Sequence, residues 1–188
     1  VFTPASMVNR MLDLVRPELE TGPGFVDKTF FEPAAGDGNF LTAIFRRKLA
    51  AIEKRYAPPM LPTESLFALA SIYAVELLPD NHADAQANML GEFVDFQVKH
   101  CTKCTPRTNL FKAAQYLITA NIQQGNTLTG LEAAGHPLVF SWWHRILNAP
   151  PTVRRGGFKL SSLRYADEGL RDFDVLPNVP PGRVAHGN

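Results

Sequence analysis

A chain of 188 residues that is 45% hydrophobic and 20% charged can bury one sizeable core, so a single domain over residues 1–188 is the expectation. No apolar run is long enough to span a bilayer and no secretory leader is evident, which excludes a helical membrane protein; two cysteines, Cys101 and Cys104, cannot make a disulfide framework and predict a reducing, cytoplasmic setting. Net charge is only +1 but unevenly placed: residues 1–95 hold eight Lys/Arg against thirteen Asp/Glu, whereas from Lys99 to Arg164 nine Lys/Arg are opposed by Glu132 alone.

The first element is helical. Val8, Met11, Leu12 and Val15 fall on one face, Thr3 is placed to cap that helix, and Pro4 fits its first turn, where a missing N–H costs nothing. Arg16-Pro17 should stop it. After the loop Gly22-Pro23-Gly24, residues 28–32 read as the first strand. A small-residue turn then leads into a helix over residues 39–55, whose Leu41, Ile44, Phe45, Leu49 and Ile52 share a face. Glycines at 36 and 38 suit a turn where a ligand approaches backbone, since a Cβ there would collide with it or forbid the required φ. The helix start also offers unpaired N–H groups to a polar or anionic ligand end.

The proline-rich connection at 57–62 precedes a short helix over 65–70 and a buried strand over 72–76. Glu76 closes that strand, where a doubly wound sheet can present a carboxylate to both hydroxyls of a ribose. A helix over 79–96 should turn Ala83, Ala87, Leu90 and Val94 inward. Residues 97–109 are polar, and His100, Cys101 and Cys104 fall one ligand short of a closed structural zinc site, so no metal is expected. Residues 110–117 read as helix, 118–123 as the third strand, and Gly125-Asn126 as its end. Beyond lie an apolar segment over 138–143, a turn at Asn148-Ala149-Pro150-Pro151, a basic flexible loop over 154–157 and an extended segment over 158–164. The tail holds Phe173-Asp174-Val175-Leu176, which reads as a strand, then Pro177-Asn178-Val179-Pro180-Pro181-Gly182.

The run Glu32-Pro33-Ala34-Ala35-Gly36-Asp37-Gly38-Asn39-Phe40-Leu41 resembles the cofactor loop of the amino-group, N6-adenine-specific DNA methyltransferases. That loop reads as an acidic residue, Pro-Ala-Ala-Gly, a polar residue, Gly, a small or polar residue, Phe and Leu. The resemblance implies an α/β, Rossmann-like fold with a central, mostly parallel sheet and helices on both faces, and S-adenosylmethionine as cofactor. By the same resemblance Thr3 lies against the methionine end, Glu32 orients its amino group, and Pro33, Ala34, Gly36 and Gly38 form the loop. Phe40 then packs on the adenine or ribose, Glu76 takes the ribose diol, and Asn126 keeps an acceptor oxygen for the adenine amine where the family has Asp.

The family's catalytic signature is Asp or Asn, Pro, Pro and an aromatic residue after a fourth strand. Its oxygens draw the N–H protons of the target amine while the ring stacks on the extruded base. Two segments could carry it: Asn148-Ala149-Pro150-Pro151-Thr152, which lacks the clean strand and the aromatic, and Asn178, Pro180 and Pro181, which follow the Phe173 strand and are the expected catalytic set, although Val179 interrupts it and Gly182 stands in the aromatic's place. The resemblance covers residues 1–128 well, as a cofactor-binding part, and the basic, aromatic residues 129–188 poorly. It implies methylation of adenine N6 in DNA by the modification subunit of a restriction-modification system. DNA would be tracked by the basic section Lys99 to Arg164, with Trp142, Trp143, Phe158 and Tyr165 interleaved for base stacking. The family carries a target-recognition region for which 188 residues leave no room, so the expectation is either a target-recognition or restriction partner chain, or a cofactor domain of something larger, or lost activity. The alternatives are a degenerate subunit that binds cofactor or DNA without transfer, a methyltransferase of RNA or protein, and a nicotinamide dehydrogenase, whose loop would need a third glycine.

Overall fold

Five consecutive buried residues, Ile72-Tyr73-Ala74-Val75-Glu76, form the middle strand of the sheet, the pattern of a parallel strand covered on both faces. The computed structural model describes residues 3–146 and 153–161. In it β1 (Phe30–Glu32), β2 (Ile72–Glu76) and β3 (Ile122–Gln124) run parallel in the order β1-β2-β3, with Phe30 opposite Ile72 and Glu76 opposite Gln124. The protein is therefore α/β, with a parallel sheet whose strands are joined by helical crossovers. Among the described residues no helix is long and apolar enough to cross a membrane.

Between β1 and β2 the chain runs through α2 (Asn39–Arg55) and α3 (Leu61–Ala70); between β2 and β3 it runs through α4 (Pro79–Lys99) and α5 (Asn109–Asn121). Strands laid down in one direction by crossovers of one hand collect those helices on one face. Ile72 and Ala74 point into that face and share a core with Phe45 and Ile52 of α2, Ala68 of α3, Phe93 of α4 and Ile118 of α5; α1 (Ala5–Asp13) adds Val8 and Leu12. Tyr73 and Val75 point the other way, as strand alternation requires. There an antiparallel hairpin, β4 (Val139–Arg145) with β5 (Val153–Lys159), covers them with Phe140 while Leu138 and Leu160 close the cluster. Tyr73 fastens the layers by donating its buried hydroxyl to the carbonyl of Ser141 at 2.9 Å. The expectation of helices on both faces is thus corrected: among the described residues they lie on one face, and a two-stranded sheet takes the other.

Several boundaries differ from the sequence expectation for physical reasons. Thr3 does not cap α1: Pro4 is the N-cap residue without a side-chain cap, and its carbonyl accepts from Met7 and Val8 at 2.9 and 3.1 Å. Pro17 does not end the helical path but opens a π-helical turn, Pro17–Thr21, since proline is tolerated where an N–H would be unpaired anyway. For the same reason α3 begins at Leu61, with Pro62 in its first turn. Along α4 the buried apolar positions are Ala85, Met89, Phe93 and Phe96, while Ala83 and Ala87 are exposed and Leu90 and Val94 only flank the core. α5 runs on to Asn121, because Ile118 packs one turn beyond Ala114, leaving only three residues for β3. The basic residues 154–157 are not a loop but part of β5, paired with 141–144.

Candidate functional site

The ends of all three parallel strands meet around one turn. β1 stops at Glu32 and the chain bends through Pro33-Ala34-Ala35-Gly36-Asp37-Gly38 into α2. Ala35 N–H donates to the Val75 carbonyl at 3.0 Å, so the turn folds over the end of β2. Gly36 N–H then donates to Glu76 Oε2 at 2.7 Å, while Leu78 N–H donates to the other oxygen, Oε1, at 2.9 Å. Gly125 N–H reaches the Glu76 carbonyl at 2.9 Å, and the Thr127 hydroxyl donates to the Pro33 carbonyl, bringing the loop after β3 against the loop after β1.

Gly36 and Gly38 have φ of +57° and +88°, the left-handed region that favours glycine. What the missing Cβ of Gly38 admits is helix α4: a Cβ there would stand 3.0 Å from Ala85 Cα. Glycine at 125 is likewise a matter of space, since a Cβ would lie 2.7 Å from the Leu131 carbonyl oxygen. Asn88, also on α4, donates to the Asp37 carbonyl at 2.9 Å and pins the turn from outside. The roles of Asn88, Gly125 and Thr127 were not legible beforehand, because each depends on which loops the sheet order places side by side.

The remaining expected residues take varied positions. Glu32 is half-buried and accepts from Ala34 N–H at 3.1 Å; burial pushes its carboxyl above the usual range, with that N–H opposing the shift. Phe40 is partly buried against the helical core. Asn126 gives its side-chain oxygen to its own turn, accepting from Leu128 at 2.8 Å and Thr129 at 3.3 Å. Thr3 is exposed ahead of α1. Asn178, Pro180 and Pro181 lie outside the described residues, as do Tyr165 and Arg164 of the basic section.

The rim so assembled is acidic. It carries Glu32, Asp37 and Glu76, and neither Lys nor Arg occurs in residues 29–45, 74–90 or 122–131, the strand ends and first helical turns around it. Such a rim repels a pyrophosphate and suits a ligand bearing positive charge and hydroxyl donors. An ionised carboxylate accepts about four hydrogen bonds, so the two backbone donors on Glu76 leave capacity for a diol. The fold is thus α/β, with the loops after β1 and β3 closing on the carboxyl end of β2 around the Glu76 carboxylate. No protein-family model matches the chain, and no curated protein or solved structure shows significant similarity to it.

Proposed function

We propose that the protein binds S-adenosylmethionine at the Gly36–Glu76 junction and is the cofactor-holding part of a cytoplasmic DNA N6-adenine methyltransferase of restriction-modification type. The observation that carries this is the 2.7 Å bond joining Gly36 to Glu76 on a rim without Lys or Arg. The cofactor is a cation with a ribose diol and an ammonium group, which matches that charge and those acceptors. A nicotinamide dinucleotide, with its pyrophosphate, does not.

In this reading Glu76 takes the diol, Glu32 faces the ammonium group, and Phe40 with the Pro33-Ala34 segment borders the nucleoside. When bound, the cofactor supplies an activated methyl group. The chain's own chemical contribution is assigned to Asn178 with Pro180 and Pro181, whose oxygens would accept the N–H protons of the target amine. The basic stretch from Lys99 onward carries the DNA, and a partner chain supplies target recognition. Because Val179 splits Asn178 from Pro180, a second reading keeps cofactor or DNA binding and loses transfer.

Calorimetric titration with S-adenosylmethionine and with NAD, followed by methyl incorporation into DNA, tests the proposal. The methyl donor should bind and NAD should not, and Glu76→Ala should weaken binding by about tenfold or more, since a carboxylate lost from a charge-assisted pair removes roughly 1.5–3 kcal/mol. Affinity should also fall on acidification, with Glu32 losing its charge ahead of an ordinary glutamate. Absence of binding at any pH would sink the reading; binding without methyl transfer would select the second one.

A further inference from the structure

A cleft of about 350 Å³ opens at the opposite ends of the same strands, between the sheet and the hairpin. Thr29 and Ser71, which immediately precede β1 and β2, form its inner edge, so it is separated by the length of the strands from the Glu76 rim. Its volume is at the lower end of the roughly 300–1,000 Å³ of ligand sites, which selects a single ring system rather than an extended cofactor.

Two planar surfaces border it. Trp142 is 37% exposed although its ring stacks on buried Tyr73, with centroids 6.3 Å apart and planes at 15°. Gly156 stands opposite Trp142 on β5 and offers no side chain to cover it. Arg145 presents the second plane: its guanidinium lies 3.7 Å from the Phe67 ring centroid and is fixed by two bonds to Glu64, at 2.7 and 2.8 Å, and by Asp27. A guanidinium so occupied keeps its flat face but offers few donors. The rim adds the Asp27 carboxylate, whose side chain is 48% exposed, the Thr29 hydroxyl and the His144 ring.

Donors rather than net charge decide against a phosphate. Arg145 spends its N–H groups on Asp27 and Glu64, Arg155 on Ser141 and Tyr116, and Lys48 on Val26, Lys28 and Ser71, so the cations around the cleft have few donors left for an oxyanion, whereas a neutral ring bearing N–H donors would find a carboxylate and a hydroxyl. Stacking planes with mixed donors and acceptors are the means by which proteins hold unstacked nucleobases.

The geometry points to a nucleobase-binding site in this cleft, in which an amine-bearing base stacks beside Trp142 and hydrogen-bonds to Asp27. It takes the base either as a free nucleoside or as an unpaired base of a single strand. The site is distinct from the Glu76 rim and stands whether or not that rim holds a methyl donor.

The chain's two tryptophans, Trp142 and Trp143, both border the cleft, so intrinsic fluorescence reports its occupancy directly. The experiment titrates the full chain, and its Glu76→Ala variant, with adenosine, cytidine and thymidine, then with single-stranded and duplex oligonucleotides. Saturable quenching by adenosine and cytidine, weaker with thymidine and retained in Glu76→Ala, is the expected result. Trp142→Leu, read through Trp143, should raise the dissociation constant about tenfold, as for loss of one stacked base. Asp27→Ala, which removes the acceptor oxygens, should erase the preference over thymidine, with folding checked by circular dichroism. Quenching by nucleosides assigns the free ligand, and quenching by single strands alone assigns the polymer. No saturable quenching by any of them, or quenching that both cleft variants leave unchanged, overturns the proposal.

Discussion

Lys48 lies in the helical layer with none of its surface exposed, and its ammonium donates to the carbonyls of Val26 and Lys28 and to the hydroxyl of Ser71 at 3.0, 2.6 and 2.6 Å. Three acceptors match three N–H donors, and the ring of Phe30 lies beneath at 5.1 Å. Even so, burial pulls its pKa from 10.5 down to about 7, against the opposing pull of Asp27. The sign of the linkage follows. Between pH 7 and 10.5 the unfolded chain holds a proton on this lysine that the folded chain releases, so stability rises with pH across that window, by at most about 1.4 kcal/mol per unit. Chemical denaturation at several pH values should show this slope, and Lys48→Met should remove it whatever else it does to stability. The spacing of α2 gave no hint of this role. Lys48 sits beside the apolar face formed by Leu41, Ile44, Phe45, Leu49 and Ile52, and only the approach of two loops makes a charge there tenable.

Among the elements, α4 shows how a face is chosen. Two stripes of α4 could face inward at helical spacing: Ala83, Ala87, Leu90, Val94, or Ala85, Met89, Phe93, Phe96. The second buries the larger side chains, and Phe93 stacks on Phe45 of α2 with planes 7° apart. The larger apolar area wins, at about 25 cal/mol per Å². Met89→Ala should therefore cost about 3 kcal/mol in urea unfolding, while Ala87→Ser should stay within about 0.5 kcal/mol. Periodicity made the helix legible and left its rotation to the size of the residues. β3 and β5 were harder to read for a related reason. Ile118 in α5 and Arg154-Arg155-Gly156-Gly157 in β5 have local preferences that the packing partner overrides.

Across the whole molecule, the hairpin is held to the helical layer by Arg145, which pairs with Glu64 of α3, a residue whose side chain is only 4% exposed. Removing one partner of a buried pair leaves the other charged and unpaired, which costs far more than the pair itself contributes. Arg145→Met should destabilise the protein by about 3 kcal/mol, and adding Glu64→Leu should restore most of that in a double-mutant cycle. If the single variant is harmless, the hairpin is fastened by its other contacts, the Tyr73–Ser141 and Trp143–Asn121 bonds and the aromatic cluster. The tertiary fold also redistributes charge. In the acidic half of the sequence it brings Arg16 up to Arg47, Lys54 and Arg55 of the basic helix α2 around one groove beside Glu20.

By itself the sequence determined the strand, turn and helix around Gly36, the buried strand ending at Glu76, and the order of helices and strands through residue 124, because those depend on local spacing and on backbone demands of neighbouring residues. Only the tertiary structure decided that Gly36 and Glu76 would touch, that Gly38 is small to admit Ala85, that Asn126 spends its oxygen on its own turn, and that a hairpin rather than helices covers Tyr73 and Val75. Each of these is a contact between segments some tens of residues apart or a choice among equivalent acceptors, and neither leaves a mark on nearest-neighbour pattern.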